Sequence, residues 1–386
     1  MEISQRIAKS SPLATTALHG RVESLRAQGQ AIIDFSIAVS HFSAPPAVLD
    51  AVVDALRQPT LPYTAVSGAP ELRSRLCAKL REENGIAAAA EEVIVTNGAK
   101  QALFEALYVL TDPGDAVLVF RPYWPAYVAS AELLGLRVLL ADLPARLTPE
   151  LLDALPPARI LILNNPHNPS GKLFDCAELD HLAAWMARSG CRVIVDESYE
   201  HLVFEGRHTS LAARPDWREL GIVTLYSTSQ SYAMMGWRAG FALAPAHVVR
   251  AMDTLQGPIT AAAPALSQLA LGAAFAGGAR HAMLEDYRGR RDLVLALVAG
   301  TRWLRMASPH SGPYLWADVS ALTLDTIGFA GQLLDQRQVA VMPGEALGVP
   351  GHIRIGFISD DVHTLQRGVE SLLAFGNAMP PRTARP

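Results

Sequence analysis

The chain has 386 residues, half of them hydrophobic and 18% charged, which allows a large buried core and excludes a disordered polymer. Its formal net charge of −4, with no basic cluster, argues against nucleic acid as a partner. The cysteines (Cys77, Cys176, Cys191) form no CxxC pair, the start Met1 to Arg6 has no apolar signal core, and no apolar run reaches transmembrane length; a cytoplasmic protein without zinc, disulfide framework or membrane contact is expected.

From about residue 90, β-rich runs alternate with helical spacing of apolar residues. Residues 92–96 read as a strand and 99–110 as a helix. Asp112, Pro113, Gly114 and Asp115 are turn chemistry leading into a buried strand at 116–120. Further strands are predicted at 159–163, 192–195, 222–226 and 239–244, with a helix at 177–187. This alternation predicts an α/β fold with a mostly parallel sheet flanked by helices. From about residue 279 a long Arg-studded helix runs to 298, followed by strands at 314–319, 339–342 and 352–357. Three parts are expected: an N-terminal arm (1–45) belonging to a small domain, a large α/β domain (46–284), and the C-terminal remainder of the small domain (285–386). The tail from Ala378 is predicted to be disordered.

Polar motifs fall at the strand ends, where α/β sheets place ligands. Asn97, Gly98, Ala99 and Lys100 form a strand-to-helix turn, and free N–H groups at a helix start suit an anion. Trp124 follows a turn proline; its flat face suits a flat heterocycle, although a core tryptophan would look the same. The stretch Asn164, Asn165, Pro166, His167, Asn168, Pro169 sets asparagines around prolines beyond what a turn requires. Asp196, at a strand end before Tyr199, either serves a ligand or caps a helix.

In their order these motifs resemble the class I/II aminotransferases, specifically the aspartate aminotransferase-like branch, over nearly the whole chain. The resemblance implies fold type I and pyridoxal 5'-phosphate (PLP), or its amine form PMP, as cofactor. It also implies an amino acid or related carboxylate as substrate, and a homodimer with shared active sites. Gly98, Ala99, Lys100, Ser227, Ser229 and Arg238 would then hold the phosphate, with Tyr63 reaching the partner subunit's. Trp124 would stack on the ring, Asp196 would pair with its nitrogen, and Asn168 and Tyr199 would bond its 3'-oxygen. Arg354 would clamp the substrate carboxylate, and Ala38, Trp124 and Asn168 would complete the substrate site.

Two positions depart from the pattern. The stretch 36–42 carries Ala38, Val39, Ser40 and His41 where the family usually has Gly-Glu-Pro-Asp. Gln230, in Ser227-Thr228-Ser229-Gln230, stands where the family has its Schiff-base lysine. A glutamine amide is neither a usable nucleophile nor a titrating group. The only lysines are Lys9, Lys79, Lys100 and Lys172, so none follows position 172. Lys100 and Lys172 fall where the family often has lysine and read as structural or phosphate neighbours; Lys9 and Lys79 read as exposed helix residues. The chain is therefore read as a family enzyme that holds PLP or PMP without a covalent bond, with proton transfer passing to His41, Tyr63 or Tyr199. The alternatives are an engineered lysine replacement in an ordinary aminotransferase, or a non-catalytic or cofactor-free carboxylate-binding homologue.

Overall fold

A computed structural model of the chain describes residues 3–8, 13–275, 280–359 and 361–382. Its main sheet contains seven strands: β2 (Val93–Thr96), β3 (Ala116–Arg121), β4 (Arg137–Asp142), β5 (Ile160–Asn164), β6 (Arg192–Asp196), β7 (Val223–Ser227) and β8 (Gly240–Leu243). The short β1 (Ile33–Asp34) precedes them. The spatial order is β2-β8-β7-β6-β5-β3-β4, and only β8 runs against its neighbours.

Alternation along the strands builds two cores on opposite faces of this sheet. Val95, Leu118, Leu161, Val193 and Phe241 point to one face and pack with Leu72, Leu76 and Leu80 of the helix Pro70–Asn84. Ile94, Val117, Ile162, Ile194 and Ala242 point to the other and meet Ala102, Leu103 and Ala106 of the helix Ala99–Leu110. Central strands buried on both faces explain the near-continuous apolar runs of the sequence. β4 escapes a reading by apolar runs because it is a half-exposed edge strand, paired only with β3.

A third core lies against β9 (Tyr314–Asp318) and β12 (His352–Gly356), which form a three-stranded antiparallel sheet with β11 (Met342–Pro343). The long helix Arg280–Val298 and the helix Val362–Asn377 cover it through Tyr287, Val294, Leu365 and Leu372. β10 (Val339–Ala340) pairs in parallel with β1, tying the N-terminal stretch to this part. The disorder expected from Ala378 does not hold for residues 378–382, where the Arg382 N–H donates to Ala321 O at 2.8 Å; residues 383–386 lie outside the described ones. Among the described residues, no helix is long and apolar enough to cross a membrane.

Because β2, β5, β6 and β7 run the same way, their carboxyl ends present Asn97, Asn164, Asp196 and Ser227 along one edge of the sheet. The candidate site is assembled there.

Candidate active site

The helix Ala99–Leu110 starts directly after β2, and its first turn has no side-chain cap, so its leading N–H groups stay available. Gly98 has φ 77°, and a Cβ there would lie 2.8 Å from Arg238 Nη2. Glycine lets the guanidinium close over the helix start. Arg238 donates to Met235 O at 2.9 Å and to Asn97 O at 3.2 Å, fixing its fork. At Gly240 a Cβ would sit 2.9 Å from Ala99 N, so that turn also needs glycine. Ser227 and Ser229 line the same cavity, of about 270 Å3. N–H groups at a helix start, two hydroxyls and a guanidinium form a donor set that fits a phosphate.

At the far end of the cavity Asp196 is only 4% exposed. Its carboxylate accepts from Tyr127 Oη at 2.6 Å and from Ser198 Oγ at 2.5 Å. Burial pushes its pKa up against these hydrogen bonds, and among the described residues no basic side chain pairs with it. A buried carboxylate with no cation fits a protonated ring nitrogen. Trp124, at the start of the helix Pro125–Leu133, faces the same space and meets Tyr127 edge-on at 5.4 Å. Tyr127 and Ser198 were absent from the sequence reading. The i, i+3 spacing of Trp124 and Tyr127 was the signal for the first.

Asn168 ties the ring end to the arginine. Its Nδ2 donates to Tyr199 Oη at 3.4 Å, and its Oδ1 accepts from Arg354 Nη1 at 3.3 Å. Arg354 also donates from Nη2 to Ser36 O at 2.7 Å, while its buried Nε has no partner. Its guanidinium lies 4.0 Å over the Tyr314 ring. The register explains this: Gly356 faces Tyr314 and Arg354 faces Trp316 across β12 and β9. Tyr314 also meets Tyr199 edge-on at 6.4 Å, and no local sequence signal marked it. Burial raises Tyr199 and Tyr127 well above the ordinary tyrosine range.

Gln230 lines this cavity, and its Oε1 is buried without a hydrogen-bond partner. The described lysines are disposed in three ways. Lys172 pairs with Glu178 at 2.8 Å and donates to Ala145 O. Lys79, read as exposed, is buried: its Nζ pairs with Glu200 at 2.5 Å and donates to Asn84 Oδ1 at 2.8 Å. Lys100 lines the cavity with its ammonium 5.2 Å from the Trp124 ring centroid. Lys9 lies outside the described residues.

Arg354, Ala38, His41 and Tyr63, all expected at the site, do not line the cavity. His41 does not line the cavity; its Nδ1 is 3.1 Å from Ile358 O and its Nε2 is 3.6 Å from Asp286 and 3.2 Å from Arg290 Nη2. The 38–41 stretch turns toward the helix Arg280–Val298, with Ser40 accepting from Tyr287 Oη at 2.5 Å, so His41 cannot reach the ring space. Ala38 is buried in the core beside it. Tyr63 is 95% exposed and does not line this chain's own cavity.

Glu197, Glu200 and His208 each bring one ligand atom within 4.8 Å of the others behind the site. Lys79 already supplies the positive charge there. Burial, with Glu200 beside it, raises Glu197 to about 8, and burial lowers His208 to about 4. At neutral pH both are uncharged, so the cluster reads as an ion pair beside neutral groups rather than a metal centre.

A nearly parallel sheet thus carries along one edge an uncapped helix start beside a guanidinium and a buried carboxylate without a basic partner, an arrangement that suits a phosphate-bearing heterocycle. Residues 30–372 match the family model "Aminotransferase class I and II", and the chain belongs to that family. It is 32% identical to the bifunctional aspartate aminotransferase and glutamate/aspartate-prephenate aminotransferase of Petunia hybrida, over 96% of this chain and 82% of that one. It is 34% identical to the arginine–pyruvate transaminase of Pseudomonas aeruginosa, over 92% and 93%. The aspartate aminotransferase of Thermus thermophilus, solved with maleate, superposes with a TM-score of 0.90 at 32% identity, over 97% of this chain and all of that one. The α/β fold is thus that of aspartate aminotransferases, and the chain is a transferase-family enzyme. The family uses PLP.

Proposed function

We propose that this chain binds PLP or PMP without a covalent bond and acts on an amino acid or related carboxylate by chemistry altered from lysine-based transamination. One observation carries the reading: Gln230 lines a cavity whose other walls suit the cofactor. Ser227, Ser229, Arg238 and the N–H groups after Gly98 would hold the phosphate. Trp124 would cover the ring, Asp196 would meet its nitrogen, and Asn168 and Tyr199 would meet its 3'-oxygen. When bound, the cofactor supplies an electron-withdrawing ring next to the substrate's amino-bearing carbon. Arg354 would orient the substrate by its carboxylate, with Tyr314 beneath the guanidinium and Asn168 joining it to the cavity wall. Asp196 keeps the ring nitrogen protonated, and the surrounding side chains limit water.

A homodimer with shared active sites, in the cytoplasm, belongs to the same reading. Leu49, Val53 and Leu56 are exposed at one-face spacing on the helix Pro46–Leu56, and exposed Leu61 and Tyr63 follow. Such an apolar stripe suits a second copy of the chain, whose cavity Tyr63 would then enter. The division into a large part (46–284) and a small one (1–45 with 285–386) is supported by separate sheets, although Tyr199, Leu202, Phe204 and Ala233 pack into the core of the small part.

The test is an absorbance spectrum of the purified protein with PLP, followed by borohydride reduction and mass spectrometry. The expected result is a bound-cofactor band with no reduced adduct on protein. A covalent adduct on Lys100 or Lys172 would overturn the reading. Absence of any PLP effect on tryptophan fluorescence or melting temperature would favour a cofactor-free carboxylate-binding homologue.

A further inference from the structure

The proposed reading leaves one role unfilled, because removal of the family lysine also removes the group that moves the proton. We propose that Lys100 is the acid–base residue of this cavity, taking the proton from the substrate carbon beside the amino group and returning it. The inference rests on the PLP-binding reading above.

Elimination among the ionisable groups that this chain itself brings to its cavity leads to Lys100. Arg238 does not deprotonate in a protein. Asp196 is bonded to Tyr127 and Ser198 at the ring end. Tyr127 and Tyr199 are held far above neutral range by burial. Tyr314 is covered by the Arg354 guanidinium. Gln230 titrates nowhere useful, and His41 is on another face of the molecule. Among the described lysines, Lys79 and Lys172 are each tied to a carboxylate, whereas Lys100 has none. Its amine lies over the Trp124 ring, and both side chains line the cavity.

Its electrostatics agree. The Lys100 side chain keeps an exposed face, yet the crowding of its ammonium by protein atoms, and then Arg238, lower its pKa from the ordinary lysine value. In the cofactor-free protein a neutral amine is therefore easier to reach than on an isolated surface lysine. In the forward step the substrate C–H bond breaks and the proton passes to the neutral Lys100 amine, which becomes an ammonium. The electron pair stays with the substrate and is spread into the bound ring. Returning the proton restores the amine, so the step is redox-neutral and needs no further reactant.

The experiment compares wild type, K100M and K100R, each loaded with PLP, in D2O with a mixture of the common L-amino acids. Deuterium at the α-carbon is read by mass spectrometry against a PLP-only blank, and PLP affinity is followed by tryptophan fluorescence. Wild type is expected to exchange at least one amino acid. At PLP concentrations that saturate each protein, both variants are expected to slow that exchange by about 100-fold or more. Arginine keeps the charge but cannot serve as a base, so wild-type exchange by K100R would overturn the inference. Competitive acetylation of the cofactor-free protein across pH gives a second readout. Lys100 is expected to react at lower pH than an ordinary surface lysine, and ordinary behaviour would count against it. Exchange missing from PLP-loaded wild type overturns the inference alone, whereas failure of wild type to bind PLP overturns the reading beneath it as well.

Discussion

At the residue scale, the proposed function has Gln230 change the chemistry without dismantling the cavity around it. Its neighbours Ser227, Ser229 and Arg238 still converge on the helix start at Gly98. Q230K is therefore expected to gain a borohydride-reducible bond to PLP at position 230, seen as a mass increment absent from wild type. Vigorous transamination of a common amino acid by that variant would instead favour an ordinary aminotransferase whose lysine had been replaced. Asp196 gives a second expectation. Removing a buried charged hydrogen-bonding partner costs about 1.5–3 kcal/mol, so D196A should bind PLP roughly 10- to 150-fold more weakly in a fluorescence titration. These positions were legible because each sits in a local motif at a strand end. Tyr314 was not, since its place under Arg354 depends on a pairing between strands some forty residues apart.

At the scale of elements, the helix Pro70–Asn84 shows what a single sequence hides. It is strongly polar, and Lys79 reads as one more exposed residue. Its partner Glu200 lies 121 positions away, after β6, so no local pattern reveals the pair. Removing one partner of a buried pair costs about 3–5 kcal/mol. K79M should lose stability of that order in urea unfolding, and K79M/E200Q should recover part of it because no bare carboxylate remains. The central strands were readable because burial on both faces makes them continuously apolar. The turning of residues 38–41 toward the helix Arg280–Val298 was not, because it depends on Tyr287 and Asp286 about 250 residues on.

At the scale of the whole molecule, buried ionisable groups set the pH range of the cofactor-free protein. Burial holds Glu105 near 7 and Glu197 near 8 in the native state. Unfolded, both would ionise near 4.5, so the native state keeps protons that the unfolded state has lost. Stability contributed by these groups therefore falls as pH rises from about 4.5 toward 8. His167 and His208 act on the acid side: burial keeps them neutral down to about 3 and 4, while the unfolded chain protonates them near 6.5. Their contribution falls as pH drops through that window. Above about 6.5 only the carboxyl effect of these four remains, and E197Q is expected to flatten the decline of melting temperature up to about pH 8. Assembly is testable at the same scale. V53E/L56E should shift the proposed dimer to monomer in analytical ultracentrifugation and weaken PLP binding, because Tyr63 could no longer reach a neighbouring cavity. The sequence suggested this assembly only through its family resemblance; the exposed stripe became visible once the helix was folded.

Arg354 has one more implication. Both of its terminal nitrogens are already engaged, by Asn168 Oδ1 and Ser36 O, and its side chain is nearly sealed from water. On the proposed reading, an incoming acid would meet a cation whose orientation is settled but whose charge has no anionic counterpart in these contacts. An ester or primary amide of the same shape would leave that charge uncompensated in a dry setting. The cavity would turn such molecules away through what they fail to neutralise, making rejection of uncharged look-alikes a larger part of its selectivity than attraction for the acid itself.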